Sequence, residues 1–309
     1  MNHILRSQQF DRPALEKLFS VTDELSEKYD TYLGRKEMMK LCEGKLLFAI
    51  FYEASTRTRF SFCAAAHHIG MASVQTENAR EFSSVVKGET LEDTINVLCQ
   101  YDPNIIVLRH HETGGADRAA AVIDNHGYKV SIINAGDGKG QHPTQALLDL
   151  YTIQRELGKI DGITVTVGGD LANGRTVRSL VYLLTKFNDV KFVFLSPANL
   201  KMGDDIVRHL SEHNVSFKET ESVEEALTGA DVVYWTRVQA ERGSVNTTLD
   251  LSLGLSQMKL MKEGSILLHP LPRIHEIAKE VDDDDRAAYF RQVRNGMLIR
   301  MSLLKALCS

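Results

Sequence analysis

Apolar residues in this chain fall into short runs and helical stripes, and their spacing predicts the elements. Behind Asp11, suited to cap a helix, and Pro13 in the first turn, Leu15, Leu18, Phe19, Thr22 and Leu25 recur at helical intervals. Lys45–Tyr52 (KLLFAIFY) is a continuous apolar run of the kind buried on both faces of a parallel sheet. Further strands are predicted at Ile105–Leu108, Val130–Ile133, Ile163–Val167, Lys191–Leu195, Val232–Trp235 and Ile266–Leu268. Helical stretches separate most of them: Glu89–Cys99, Asp117–Asn125, Thr144–Leu157, Thr176–Phe187, Asp204–His213 and Val223–Leu227. This alternation predicts an α/β fold of βαβ units with mostly parallel sheets. The last helical stretch is Ala287–Leu307. Asp282–Asp285 reads as a solvated turn capping it, and Thr236–Leu249, without periodicity, as a long loop of the kind that forms lids.

A length of 309 residues suggests about two domains. Long helices would join them, with a boundary near Thr144–Leu157. Composition is that of an ordinary globular chain, 43% apolar and 25% charged. Lys and Arg number 36 against 41 Asp and Glu, a net charge of −5, which argues against a nucleic-acid partner but leaves room for a local basic site. No apolar run reaches the ~18–20 residues of a membrane span, and the first residues do not resemble a signal peptide. Four scattered cysteines, without a CxxC pair, suggest reduced packing residues in a cytoplasmic protein rather than a zinc or disulfide framework.

Open α/β sheets bind ligands beyond the carboxyl ends of their strands, so the residues following each strand are the candidates. After the first strand come Glu53, Ser55, Thr56, Arg57, Thr58 and Arg59, leading into a helix that carries Phe60, Phe62 and Ala64–Ala66. Hydroxyls, guanidinium groups and backbone N–H groups at a helix start suit a phosphate. Arg109 and His110 follow the next strand. Asn134–Gln145 follows Val130–Ile133, with glycines that would let backbone approach a ligand, then His142, Pro143 and Gln145 at a helix start. By itself His142 reads as a structural cap. The segment Gly168–Thr176 (GGDLANGRT) does not match GxGxxG, which disfavours a dinucleotide, and its Arg175 suits an anion. Val232–Trp235 leads to Arg237 and Gln239, and Ile266–Leu268 to His269-Pro270-Leu271-Pro272-Arg273, a turn that exposes carbonyls. Cations after strand upon strand point to a cleft for small, multiply anionic ligands. His209 and His213, at i,i+4, read as an exposed helix face rather than a metal site, and Trp235 as strand packing.

FYEASTRTR, the lysine of SSVVKGET, QHPTQALLDL, GDLANGRTV, TRVQAER and HPLPR, in this order from Phe51 to Arg273, resemble the catalytic chain of the aspartate carbamoyltransferase family. STRTR and the His-Pro-x-Gln element are shared with ornithine carbamoyltransferases. HPLPR and TRVQAER favour aspartate, since the ornithine enzymes carry a cysteine where Pro270 stands and Arg237 would repel a cationic side chain. The resemblance implies a carbamoyl-phosphate-binding domain of residues 1–143 plus 289–309, an aspartate-binding domain of residues 144–288, and an active site in the cleft between them.

It further implies the residues that act. Ser55, Thr56, Arg57, Thr58 and Arg109 hold the phosphate, and Thr58, Arg109 and His142 direct donors at the carbamoyl oxygen. Gln145 and the carbonyls of Pro270 and Leu271 receive the carbamoyl amide. Arg175 takes the α-carboxylate of aspartate, and Arg237 with Gln239 the β-carboxylate. Ser83 and Lys87 come from a neighbouring subunit of a homotrimer; by its surroundings alone Lys87 would be a solvated charge. Neither metal nor organic cofactor is required. Some members of the family also assemble with a separate zinc-bearing regulatory chain. Against this main reading stand a transcarbamoylase for another amine, a non-catalytic carbamoyl-phosphate-binding subunit and, disfavoured by GGDLANG, a nucleotide-dependent dehydrogenase.

Overall fold

A computed structural model describes residues 2–76, 78–82, 88–237 and 249–308. The chain divides into two compact units, Met1–Leu147 with Asn295–Ser309, and Leu148–Arg294. Both are built on parallel sheets with helical connections, as the alternation of apolar runs predicts.

In the first unit β1 (Leu46–Phe51), β2 (Ala72–Thr76), β3 (Ile105–His110) and β4 (Ser131–Asp137) form a parallel sheet in the order β2-β1-β3-β4. Its helices are α1 (Arg12–Tyr29), α2 (Tyr32–Met38), α3 (Thr56–His68), α4 (Ala79–Phe82), α5 (Leu91–Cys99), α6 (Gly115–His126) and the start of α7 (Pro143–Leu157). The Asp11 carboxylate caps α1 by accepting from the Ala14 N–H at 2.9 Å, and Leu15, Phe19, Thr22 and Leu25 form its buried stripe. β1 is buried along nearly its whole length, which a strand covered on both faces requires. Ile50, Ile106, Leu108, Ile95 and Ile123 belong to one core beneath α5 and α6.

The second unit carries β5 (Thr164–Gly168), β6 (Lys191–Leu195), β7 (Phe217–Thr220), β8 (Val232–Trp235) and β9 (Ile266–Leu268) in the parallel order β7-β6-β5-β8-β9. Around it lie the rest of α7, α8 (Arg175–Leu184), α9 (Asp204–Glu212), α10 (Val223–Leu227), α11 (Leu255–Met258) and the first turns of α12 (Tyr289–Cys308). Trp235 is fully buried among Val233, Leu251, Leu267 and Tyr289, and its Nε1–H donates to the Leu251 carbonyl at 2.9 Å. Strand packing is therefore its role.

Several expectations are corrected. β3 continues through Arg109 and His110, and β4 through Asp137, so residues expected in loops belong to strands. Their polar side chains end the apolar run, but the ladder persists: Phe51 pairs with Arg109 and His110 with Asp137. β2 and β7 are edge strands that the apolar pattern did not foretell, because an edge needs backbone pairing on one side and little side-chain burial. The acidic run is more than a solvated turn. Asp282 binds Arg273 and the Tyr289 hydroxyl, and Asp284 accepts from Arg286 Nε at 2.9 Å. His209 is half-buried rather than on an exposed face. Its Nε2 lies 3.0 Å from Thr185 Oγ1, its ring meets Tyr182 edge-on, and burial lowers its pKa.

Candidate active site

In the first sheet the chain passes from β1 to β2 on one side and resumes at β3 on the other. The connections leave in opposite directions at the carboxyl ends of β1 and β3, the arrangement that opens a ligand crevice in α/β sheets. Ser55–Thr58 and Arg109 stand at this switch point, locked in register by the Tyr52 N–H donating to the Arg109 carbonyl at 2.8 Å. Ser55 precedes α3 at φ −159°, ψ 84°, and its hydroxyl donates to Thr58 Oγ1 at 3.1 Å instead of capping the backbone. The Ser55 side chain therefore makes no capping hydrogen bond to the first turn of α3. Thr58 is buried and Arg57 exposed. Partial desolvation holds the Arg57 guanidinium below its ordinary pKa.

Arg109 is 8% exposed. Its Nη2 donates to Glu53 Oε1 at 2.5 Å and its Nη1 to the Ala135 carbonyl at 3.2 Å. Glu53, which follows the first strand, was given no role from the sequence; its contact with Arg109 arises from the pairing of the two strands. His142, buried, and Gln145, half-buried, stand at the start of α7 after β4, where the Gln145 N–H donates to the His142 carbonyl at 3.0 Å. The glycines before them serve the loop itself. A Cβ on Gly140 would lie 2.6 Å from Asp137 Oδ1, and one on Gly138 2.8 Å from the His111 carbonyl. At Gly138 and Gly140 the absence of a side chain is thus required by close approach to protein.

The second sheet has its own switch point between β5 and β8, whose carboxyl ends carry Gly168 and Trp235. Gly168-Gly169 is shaped by the neighbouring strand. A Cβ on Gly168 would meet the Trp235 ring at 2.6 Å, and one on Gly169, at φ +117°, the Thr236 carbonyl at 2.2 Å. Thr236 also donates from its backbone N–H and its hydroxyl to the Gly168 carbonyl, at 2.8 and 3.1 Å. From this clamp the chain turns through Asp170, whose Oδ1 accepts from the Asn173 N–H at 3.0 Å, into α8, which begins at buried Arg175. Arg237 follows Thr236 and is half-buried. Arg175 and Arg237 are thus cations just beyond the carboxyl ends of β5 and β8.

β9 leads into His269-Pro270-Leu271-Pro272. Leu271 sits at φ +51°, and its N–H donates to His269 Nδ1 at 2.8 Å. His269 Nε2 faces Glu276 Oε1 at 3.0 Å. Burial raises the Glu276 pKa, but the His269 ring and the backbone N–H of Ile274 outweigh it and hold the carboxyl at about 2. Sequence reasoning named the turn but not Glu276. Ser83, Lys87, Gln239 and most of the Thr236–Leu249 loop lie outside the described residues. Among the described residues no cluster of three His, Cys, Asp or Glu is placed to hold a metal ion.

Residues 2–155 match the family model "Aspartate/ornithine carbamoyltransferase, carbamoyl-P binding domain", and residues 161–307 match the "Asp/Orn binding domain" of the same family. The chain belongs to the aspartate/ornithine carbamoyltransferase family. It is 49% identical over 315 residues to the chloroplastic aspartate carbamoyltransferase of Arabidopsis thaliana, covering 99% of this chain and 78% of the relative. It is 44% identical over 310 residues to the aspartate carbamoyltransferase catalytic subunit of Methanocaldococcus jannaschii, covering 99% and 98%. A solved aspartate transcarbamoylase from Trypanosoma cruzi, in complex with N-(phosphonacetyl)-L-aspartic acid, superposes with a TM-score of 0.90 at 37% identity, covering 99% of this chain and 95% of that one.

Proposed function

We infer that this chain transfers the carbamoyl group of carbamoyl phosphate to the α-amino group of L-aspartate, giving N-carbamoyl-L-aspartate and phosphate, a step of pyrimidine biosynthesis. The observation that carries this reading is the placing of cations at both switch points, Arg57 and Arg109 in the first unit and Arg175 and Arg237 in the second. Each set suits one anionic substrate.

In this reading Ser55, Thr56, Arg57, Thr58 and Arg109 hold the phosphate, with the α3 N-terminus adding backbone donors. Thr58, Arg109 and His142 point donors at the carbamoyl oxygen, where negative charge grows as the amine adds; removing one such donor costs ~3–4 kcal/mol in the barrier. Gln145 and the carbonyls of Pro270 and Leu271 receive the carbamoyl amide. Arg175 takes the α-carboxylate of aspartate, and Arg237 and Gln239 the β-carboxylate. The neutral α-amine attacks the carbamoyl carbon, the new C–N bond forms, and the C–O bond to phosphate breaks. The departing phosphate accepts the amine proton. Positioning and electrostatics supply the acceleration, without a covalent enzyme intermediate.

The protein acts, in the same reading, as a cytoplasmic homotrimer in which Ser83 and Lys87 complete a neighbouring subunit's site. Apolar exposure supports a self-association surface: Phe60 on α3 is 54% exposed and Val74 on the β2 edge 57%. The four free thiols suit a reducing compartment. Purified protein given carbamoyl phosphate and L-aspartate should form carbamoyl-aspartate and phosphate, followed by mass spectrometry. Turnover with L-ornithine but not with aspartate overturns the assignment. Native mass distinguishes a bare trimer of the 34.6 kDa chain from a monomer, and from a larger assembly with a zinc-bearing regulatory chain.

A further inference from the structure

The turn after β9 is held by a chain of buried polar groups. The His269 backbone N–H donates to Gln292 Oε1 at 3.0 Å, and Gln292 Nε2 donates to Asp149 Oδ1 at 2.5 Å. Asp149 Oδ2 accepts from the Tyr234 hydroxyl at 2.8 Å. These partners settle the orientation of the Gln292 amide, because a backbone N–H only donates and a carboxylate only accepts. The Leu271 N–H donates to His269 Nδ1, which places the ring proton on Nε2, facing Glu276. Glu276 Oε2 accepts from the backbone N–H groups of Ile274 and His275 at 3.0 and 3.1 Å.

Burying this many polar groups is a poor route to stability, since apolar residues of similar volume fill such space at less cost. Its result is specific instead. Leu271 is kept at φ +51°, which a leucine resists, with its N–H turned onto His269. Pro270 and Pro272 have no N–H at all. The stretch Pro270-Leu271-Pro272 therefore has no backbone donor left to offer and keeps its carbonyl oxygens, a surface that accepts from an amide NH2 group.

We propose that His269 and Gln292 are positioning residues that keep the Pro270-Leu271-Pro272 turn donor-free and aligned for the carbamoyl amide. The proposal rests on the carbamoyl transfer inferred above. It is tested on the full-length enzyme with His269→Leu and His269→Asn, the latter placing an amide oxygen where Nδ1 stands. His269→Leu is expected to raise the KM for carbamoyl phosphate and lower kcat at least tenfold each. The inhibition constant of inorganic phosphate, which has no amide, should stay within twofold. His269→Asn is expected to return both kinetic constants to within threefold of the unsubstituted enzyme. If His269→Leu does not fold, Gln292→Met is read the same way against the same limits. Kinetics within twofold of wild type, a parallel loss of phosphate inhibition, or His269→Asn no better than His269→Leu overturns the proposal. Failure of the unsubstituted protein to form carbamoyl-aspartate overturns the reaction itself and is seen before any variant is made.

Discussion

Replacing Glu276 by glutamine removes a charge from a site where water screens little, the side chain being 11% exposed. Its carboxylate accepts from the backbone N–H groups of Ile274 and His275 and faces the His269 ring. Holding the carboxyl at about 2, against an ordinary 4.5, corresponds to roughly 3 kcal/mol of linked stability. Glutamine keeps the shape and one acceptor oxygen, so Glu276→Gln should cost about 2–3 kcal/mol at neutral pH. The folded pKa is the depressed one. The stabilisation is therefore complete above the unfolded value of 4.5 and is lost as pH falls toward about 2. By pH 3.5 the gap between wild type and variant should have closed by about 1.4 kcal/mol. Trp235, the one tryptophan of the chain and buried in the second unit, reports the unfolding by fluorescence in urea. With a urea slope of about 2 kcal/mol per molar, the midpoint should move by about 1 M. A variant within 0.5 kcal/mol of wild type at pH 7 (roughly the scatter of neutral surface substitutions), or a gap that does not narrow between pH 6 and 3.5, would refute the reasoning.

Three further outcomes are expected. Gly169→Ala sets a Cβ 2.2 Å from the Thr236 carbonyl at φ +117° and should cost at least about 2 kcal/mol, read as a lowered urea midpoint of Trp235 fluorescence. Arg57→Ala, at an exposed position, should lower kcat/KM for carbamoyl phosphate by about 100-fold or more while leaving the melting temperature unchanged; near-wild-type turnover would exclude Arg57 from the phosphate site. The thiols should differ in reactivity. The Cys42 side chain and the nearby Lys45 lower the Cys308 pKa, whereas contact with Cys308 and burial raise that of Cys42, and burial raises Cys99 to about 11. Brief iodoacetamide treatment at pH 8 followed by peptide mapping should find Cys308 labelled ahead of Cys42 and Cys99.

The residues assigned to the site could be picked out of the sequence because their motifs are local. STRTR sets hydroxyls and arginines between a buried strand and a helix start, which suits an anion, and HPLPR sets two prolines after a strand, which leaves carbonyls as acceptors, each within a few residues. Glu53 was less legible: its partner Arg109 is 56 residues away, and only pairing between β1 and β3 makes them neighbours. The glycines of GGD were read by what they exclude, a dinucleotide, but their cause is the ring of Trp235 and the Thr236 carbonyl.

By itself the sequence determined the apolar strands and the helices between them, the parallel character of the fold, the identity of the strand-end cations and the family, since periodicity and motif chemistry reside in neighbouring residues. Only the tertiary structure decided the strand orders β2-β1-β3-β4 and β7-β6-β5-β8-β9, and with them which strand ends became switch points. It also decided that Tyr234, Asp149, Gln292 and His269 form one hydrogen-bonded chain, across separations of up to 143 residues. The physical reason is common to both. Backbone hydrogen bonds are alike for any two pairing strands and so leave no record of sheet order in the sequence, and a buried polar group finds its partner only after distant segments have packed.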